Sequence, residues 1–297
     1  MNHLISTKRE PRLEVLMSWW GMNGLGGQNG VGGEWTMEEK VQYIAEAGYD
    51  GINGMLPEGR EAEQWHRLLD QYNLSYSVNA YPKTAEELDV FLCKAKSFGR
   101  VDFVNVQVMR PFLVGEQAVK MLADMEELSR SAGISAYIET HRGTITQDLL
   151  RTVEYAERLP GLELTIDFSH YVVTGEMRTV FDEAEELLQK LLPRTKSIHA
   201  RVSNGEQVQV DIPVGGDGAA DFEFEHPMMK HFLRWWLEGM RSWRQTAKVN
   251  ELFPFVCELG PPPYAIAVHG QEISNRWKQS LLFAKIARSL WERVLYS

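Results

Sequence analysis

ISAYIETHRGTITQDLLRTVEYAERLPGLELTID, residues 134–167, decides the fold reading. It holds one complete unit: an apolar run at 134–140, a helix-like segment from Thr144, and a second apolar run at 162–167. TITQD opens the middle segment with threonine followed by Gln and Asp within a turn, which suits a helix N-terminus. Strand, helix, strand is the signature of parallel strands joined by a crossover helix. Both strands also end on an acid, Glu139 and Asp167.

The same alternation runs outward in both directions. Strands are expected over 14–20, 49–56, 74–80, 101–108, 134–140, 162–167, 195–202 and 253–259. Helices are expected from near Thr36, Glu61, Thr84, Glu116, Thr144, Glu176, Glu223 and Gln271. TMEEK and TAEEL repeat the threonine-then-acid start. Eight strand–helix units in 297 residues favour a closed (β/α)8 TIM barrel over an open doubly wound sheet. The expectation is an α/β fold in which 1–297 form a single TIM-barrel domain. The barrel starts at about residue 13 and 1–12 are an N-terminal extension.

Charge and composition narrow the partners. Thirty-one basic against 41 acidic residues leave a formal charge of −10, which argues against nucleic acid or an anionic membrane. Two cysteines, Cys93 and Cys257, supply neither a disulfide framework nor a cysteine zinc site. The N-terminus lacks the apolar core of a signal peptide, and no apolar run reaches the ~18 residues of a membrane span. A cytoplasmic enzyme with a small-molecule carbohydrate substrate is expected, as a homo-oligomer or with a partner subunit.

In a TIM barrel chemistry gathers where the strands end. Here the fifth strand ends in Glu139, with His141 and Arg142 following, the sixth in Asp167 and the eighth in Glu258, while the seventh carries His199 and Arg201. The other strands show no comparable cluster. Strand residues alternate faces, so Glu139 and His141 share one, as do His199 and Arg201. Three carboxylates converging without a cation would repel one another and push up their pKa values. A divalent metal held by Glu139, Asp167, His199 and Glu258 removes the conflict. Oxygen donors with one imidazole suit Mn²⁺, with Mg²⁺ or Co²⁺ as alternatives, better than Zn²⁺.

YIETHRG, LTIDFSH, SIHARV and CELGPPPY, in that order and spacing, resemble the sugar phosphate isomerase/epimerase superfamily with its xylose-isomerase-like TIM barrel. Ketose 3-epimerases, inosose dehydratase, hydroxypyruvate isomerase and the catalytic subunits of C-glycoside deglycosidases belong to it. The resemblance implies the same four metal ligands, and it implies that His170, in Asp-x-x-His, reaches a substrate oxygen. The sequence departs from the ketose 3-epimerases at Ile145, where they carry a substrate-contacting Glu. It departs again at Arg201, which follows His199 by two residues rather than several.

The activity expected is a divalent-metal-dependent isomerase or epimerase, acting through an enediolate on a keto-sugar, sugar phosphate or polyol ketone. Glu139 and Glu258 are the proton-transferring pair, while His170, Arg201 and Gln209 contact substrate. The alternative is a lyase on 3-keto-glycosides, or an inosose dehydratase-like enzyme, with His141 as base. An endonuclease-type phosphodiesterase would need a basic surface that the −10 charge denies. The glycine-rich 21–35 fits no phosphate or dinucleotide fingerprint and is expected to be a mobile lid. The long 203–226 segment, with Gln209 and Asp211, is expected to shape the pocket.

Overall fold

The computed structural model describes residues 10–26, 33–212 and 228–296. Eight parallel strands close into one barrel in chain order. They are β1 (Arg12–Ser18), β2 (Gly51–Gly54), β3 (Ser75–Ala80), β4 (Phe103–Val106), β5 (Ser135–Glu139), β6 (Leu164–Ile166), β7 (Thr195–Ala200) and β8 (Leu252–Cys257). Closure is made by β1 against β8, in register from Arg12↔Leu252 to Met17↔Cys257. Each expected strand is present, up to four residues shorter than its apolar run and with ends shifted by up to two residues.

The helices are α1 (Met37–Glu46), α2 (Arg60–Tyr72), α3 (Ala85–Phe98), α4 (Gly115–Ala132), α5 (Leu149–Arg158), α6 (Phe168–Thr174), α7 (Asp182–Leu191), α8 (Met229–Thr246) and α9 (Arg276–Leu295). Thr36 caps α1 in a reciprocal capping box with Glu39, and Thr84 caps α3. Thr144 does not start a helix. Its hydroxyl donates to the His141 carbonyl at 2.6 Å and that of Thr146 donates to the Glu139 carbonyl at 2.5 Å. The two threonines brace the end of β5, and Asp148 caps α5 instead. Glu176 likewise starts nothing: it has a left-handed φ of 46° between α6 and α7. Gln271 belongs to a two-stranded hairpin, Ala267–Val268 with Gln271–Glu272, and α9 begins after Asn275. Glu223 lies outside the described residues, as do 27–32 of the expected lid and 213–226 of the long loop.

One large apolar layer packs the helices on the outer face of the strands, with Trp65, Trp235, Trp236, Phe232 and Phe283 fully buried. The lumen is layered differently. Leu16, Phe103 and Val256, with Tyr137 against them, form a small apolar plug of their own. Above it, toward the strand C-termini, the inner faces turn polar. A bulge offsets β6 from β7, Leu164 pairing with Thr195 but Thr165 with Ser197, and past it Ile166 pairs with Ile198. Asp167 and His199 therefore lie side by side just beyond that pair. At the mouth, the buried Arg276 at the start of α9 holds the Gly21 carbonyl and, at 2.7 Å, the Asn23 carbonyl.

On the N-terminal side of the plug, Glu14 lines a cavity of about 670 Å³ while only 5% exposed. Burial pushes its carboxyl up to about 7, against a hydrogen bond from Ser75 and with Asp102 and Asp50 adding. Its folded value exceeds its unfolded one, so the stabilisation from the bound proton is complete below about pH 4.5 and is lost as pH rises through about 7. Glu14→Gln should raise the unfolding free energy near pH 8 by about 2–3 kcal/mol and change little near pH 4. Urea denaturation at the two pH values measures this, and equal effects would refute it.

Candidate functional site

Four side chains from four consecutive strand ends meet above the plug. Glu139 closes β5 and has no exposure. Asp167 follows β6 as the N-cap of α6; its Oδ1 accepts from the Ser169 amide at 2.9 Å and the Ser169 hydroxyl at 2.5 Å. His199 stands on β7, its Nδ1 donating to Glu258 Oε2 at 3.1 Å and lying 3.7 Å from Glu139 Oε1. Glu258 follows β8. Donor atoms of Glu139, His199 and Glu258 all lie within 4.8 Å of one another.

Asp167 is held differently, by a fifth residue. Arg201, 1% exposed, bonds the Glu258 carboxylate and carbonyl, and its Nε lies 3.5 Å from Asp167 Oδ2. Its guanidinium is the counter-charge between two buried acids and also lines the neighbouring cavity. Burial opposes its charge, but Asp167 and Glu258 raise its pKa still further. Burial pushes Asp167 up to about 6 despite Arg201. Burial opposes a charged His199 too, but Glu258 and Glu139 outweigh it and take the imidazole to about 10. Glu139 moves the other way: burial raises it, but His199, His141 and the Asn105 amide together bring it to about 2.

A cavity of about 280 Å³ opens beside this cluster. Glu258, His141, Arg201 and Tyr264 form its polar wall; Trp19, Trp20, Met55, Tyr81, Asn79 and Gln107 lie among the rest of its lining. Glu139, Asp167, His170 and His199 stand behind the lining. His141 Nδ1 donates to the Arg142 carbonyl at 2.5 Å, leaving the Nε2 lone pair to accept from the Tyr264 hydroxyl at 3.1 Å. Burial, with Arg201 adding and Glu139 opposing, lowers the His141 pKa and keeps the ring neutral. His170 lies on α6 rather than in a loop, unexposed, its ring centroid 3.8 Å from that of His141. Burial, His141 and Arg201 hold it well below the usual histidine value.

Gln209 is not at the cavity. Both its amide atoms are spent on the Gly260 backbone, at 3.0 and 2.8 Å, where they fasten the segment after β8. Asp211 is exposed. Tyr264 and the asparagines on β2–β4 escaped the sequence reading. Asn53, Asn79 and Asn105 recur near the ends of three successive strands, a context that disfavours asparagine, and that recurrence was the available signal.

No family model and no curated protein matches the chain. Solved structures do. The chain is similar to a xylose isomerase-like TIM barrel protein from Mycobacterium smegmatis in complex with magnesium, at 13% identity and a TM-score of 0.58, over 95% of this chain and 98% of that one. It is similar to a probable 3-DHS dehydratase from Bacillus anthracis at 15% identity and 0.55, over 96% and 99%. It is also similar to an AP endonuclease, family 2, from Brucella melitensis at 16% identity and 0.53, over 92% and 98%. The fold is the xylose-isomerase-like TIM barrel.

Arg201→Met should leave Asp167 uncompensated and Glu258 with His199 alone, and destabilise the protein by about 3–5 kcal/mol near pH 7. Near pH 5, where Asp167 is protonated, the loss should shrink. Denaturant titrations at both pH values check this; a loss of equal size at both would contradict the counter-charge role.

Proposed function

We propose that the protein is a divalent-metal-dependent enzyme that moves a proton at the carbon beside the carbonyl of a keto-sugar, sugar phosphate or polyol ketone, as an isomerase or epimerase. The observation that carries this reading is a set of buried atoms without hydrogen-bond partners. Glu139 Oε1, Asp167 Oδ2 and His199 Nε2 are all orphaned among the described residues, around a donor cluster that suits a hard divalent cation. Charge points the same way. Three carboxylates against one guanidinium leave a net of two negative charges when His199 is neutral, which is the charge of one divalent ion.

Glu139, Asp167, His199 and Glu258 are the residues we assign to the metal, Mn²⁺ by donor type. A magnesium-bearing neighbour supports a divalent ion more generally. Such an ion supplies a Lewis acid for adjacent carbonyl and hydroxyl oxygens. The chain does the rest. Trp19, Trp20 and Tyr264 offer flat faces to a sugar-sized compound, for which a cavity at the small end of the usual ligand range of roughly 300–1,000 Å³ is suitable. Glu258 and His141 face that cavity and are the groups positioned to take and return the proton. Glu139, behind the wall, serves as a fixed ligand, which narrows the Glu139–Glu258 pair expected from sequence.

Elimination is the second reading, favoured by the base His141 and the acid Tyr264 lying 3.1 Å apart on one wall. In it, His141 takes the carbon proton and Tyr264 protonates the departing oxygen. A dehydratase among the similar structures agrees with this reading.

Purified protein with saturating Mn²⁺, incubated in D₂O with ketoses, inososes and 3-keto-glycosides, tests both. Deuterium entering without loss of a group supports the isomerase or epimerase, and release of water or an aglycone the lyase. Neither result on any of them would overturn both. Glu258→Gln should lower turnover by about 10²-fold or more. His141→Ala should spare exchange if Glu258 is the base and abolish it together with elimination if His141 is.

A further inference from the structure

Asn53 on β2, Asn79 on β3 and Asn105 on β4 are 0%, 6% and 0% exposed. They project into the lumen opposite the charged strands, and their amides form one chain. Asn105 Nδ2 gives one hydrogen to Glu139 Oε2 and the other to Asn79 Oδ1 at 3.0 Å. Asn79 Nδ2 donates to Asn53 Oδ1 at 2.9 Å, and Asn53 Nδ2 donates to Ser77 Oγ at 3.1 Å. Gln107 adds a second donor to Glu139 Oε2, at 2.9 Å.

The chain has a direction that chemistry enforces. A carboxylate only accepts, so Glu139 fixes Asn105 with its NH₂ group toward β5. The second hydrogen of that NH₂ then fixes the Asn79 oxygen, which turns the Asn79 NH₂ toward Asn53. No single amide can turn over without setting buried donors against donors. The result is a rigid support two side chains deep behind the one that bonds the carboxylate.

We propose that Asn53, Asn79 and Asn105 are positioning residues acting as one unit. They hold Glu139 with Oε2 bound to β4 and Oε1 directed to the side where His199 Nδ1 lies, 3.7 Å away. The proposal rests on the reading of Glu139 as a metal ligand. Asn105 and Gln107 touch the carboxylate. Asn53 touches no ligand, so its influence on the metal passes only through Asn79 and Asn105.

Mn²⁺ titration of the metal-free full-length chain by calorimetry is the test. Asn53→Leu, similar in volume but without an acceptor for Asn79, should weaken binding by about tenfold. Asn53→Ser, which restores an acceptor, should recover most of that loss, and Asn53→Ala, which also removes the acceptor, stands in if the leucine variant does not fold. The double variant Asn53→Leu/Asn105→Leu should bind no more weakly than Asn105→Leu alone, because a chain cut beside the carboxylate has nothing left to transmit. Additive losses, or wild-type affinity in Asn53→Leu and in Asn53→Ala, would overturn the proposal. A second arm uses no metal. The side-chain NH₂ resonance of Asn105 should shift in Asn53→Ser and Asn53→Leu although the two residues do not touch, and an unmoved resonance would sink the idea. If the wild-type protein binds no Mn²⁺, the metal reading fails and this arm alone decides whether the amides act as a unit.

Discussion

Closing a barrel brings strand ends into contact whether or not their charges tolerate it. Here closure buries three carboxylates within one layer of the lumen, and like charges in a dry interior repel strongly. Arg201 and His199 answer that constraint, His199 from β7 and Arg201 from the residue just after it. Arg201 lies between Asp167 and Glu258, and His199 between Glu258 and Glu139. The surroundings are fitted to that arrangement. Tyr264 and Trp20 set their rings 4.8 and 5.9 Å from the Arg201 guanidinium. Gln209 pins Gly260 where Trp20 packs so tightly that a methyl group would fall 1.8 Å from the indole.

The lumen consequently has two unlike halves. Above the apolar plug, β5 to β8 and the residues just after them bear the charges, and β1 to β4 bear neutral amides and hydroxyls, among them Ser18, Asn53, Ser77, Asn79 and Asn105. A neutral polar lining can meet a carboxylate such as Glu139 with fixed donors without adding to the charge. Under the proposed function, a substrate at the mouth would meet groups that donate and orient on one side, and groups that can exchange protons on the other.

Most of the framework was legible because it depends on periodicity. Eight strands and the caps at Thr36 and Thr84 follow from local pattern, which tertiary packing had no reason to override. Thr144 looked like the same cap but its hydroxyl is used on the His141 carbonyl, a choice made by the fold of the turn and invisible in TITQD. The acids and imidazole at the strand ends were legible because strand ends converge. The spacing of Arg201 from His199 shows its face, but not that Asp167 and Glu258 also engage its guanidinium. Gln209 shows the same gap: a polar residue in a long loop can point to a ligand or to a backbone, and only the position of Gly260 decides. The amide chain is not legible in any one asparagine, because it exists only across the neighbouring strands β2, β3 and β4.

Arg276 is 255 residues from Gly21 in sequence, and it grips Gly21 and Asn23 through their carbonyls. The first loop of the mouth is thus fastened by the last helix, just as β1 finds one of its two neighbours only in β8. During synthesis the loop after β1 leaves the ribosome well before its anchor, which follows 255 residues later. Barrel closure needs β8 whereas the anchor of this loop needs α9, so a nascent chain halted before α9 would carry the eight strands yet leave the loop after β1 unfastened.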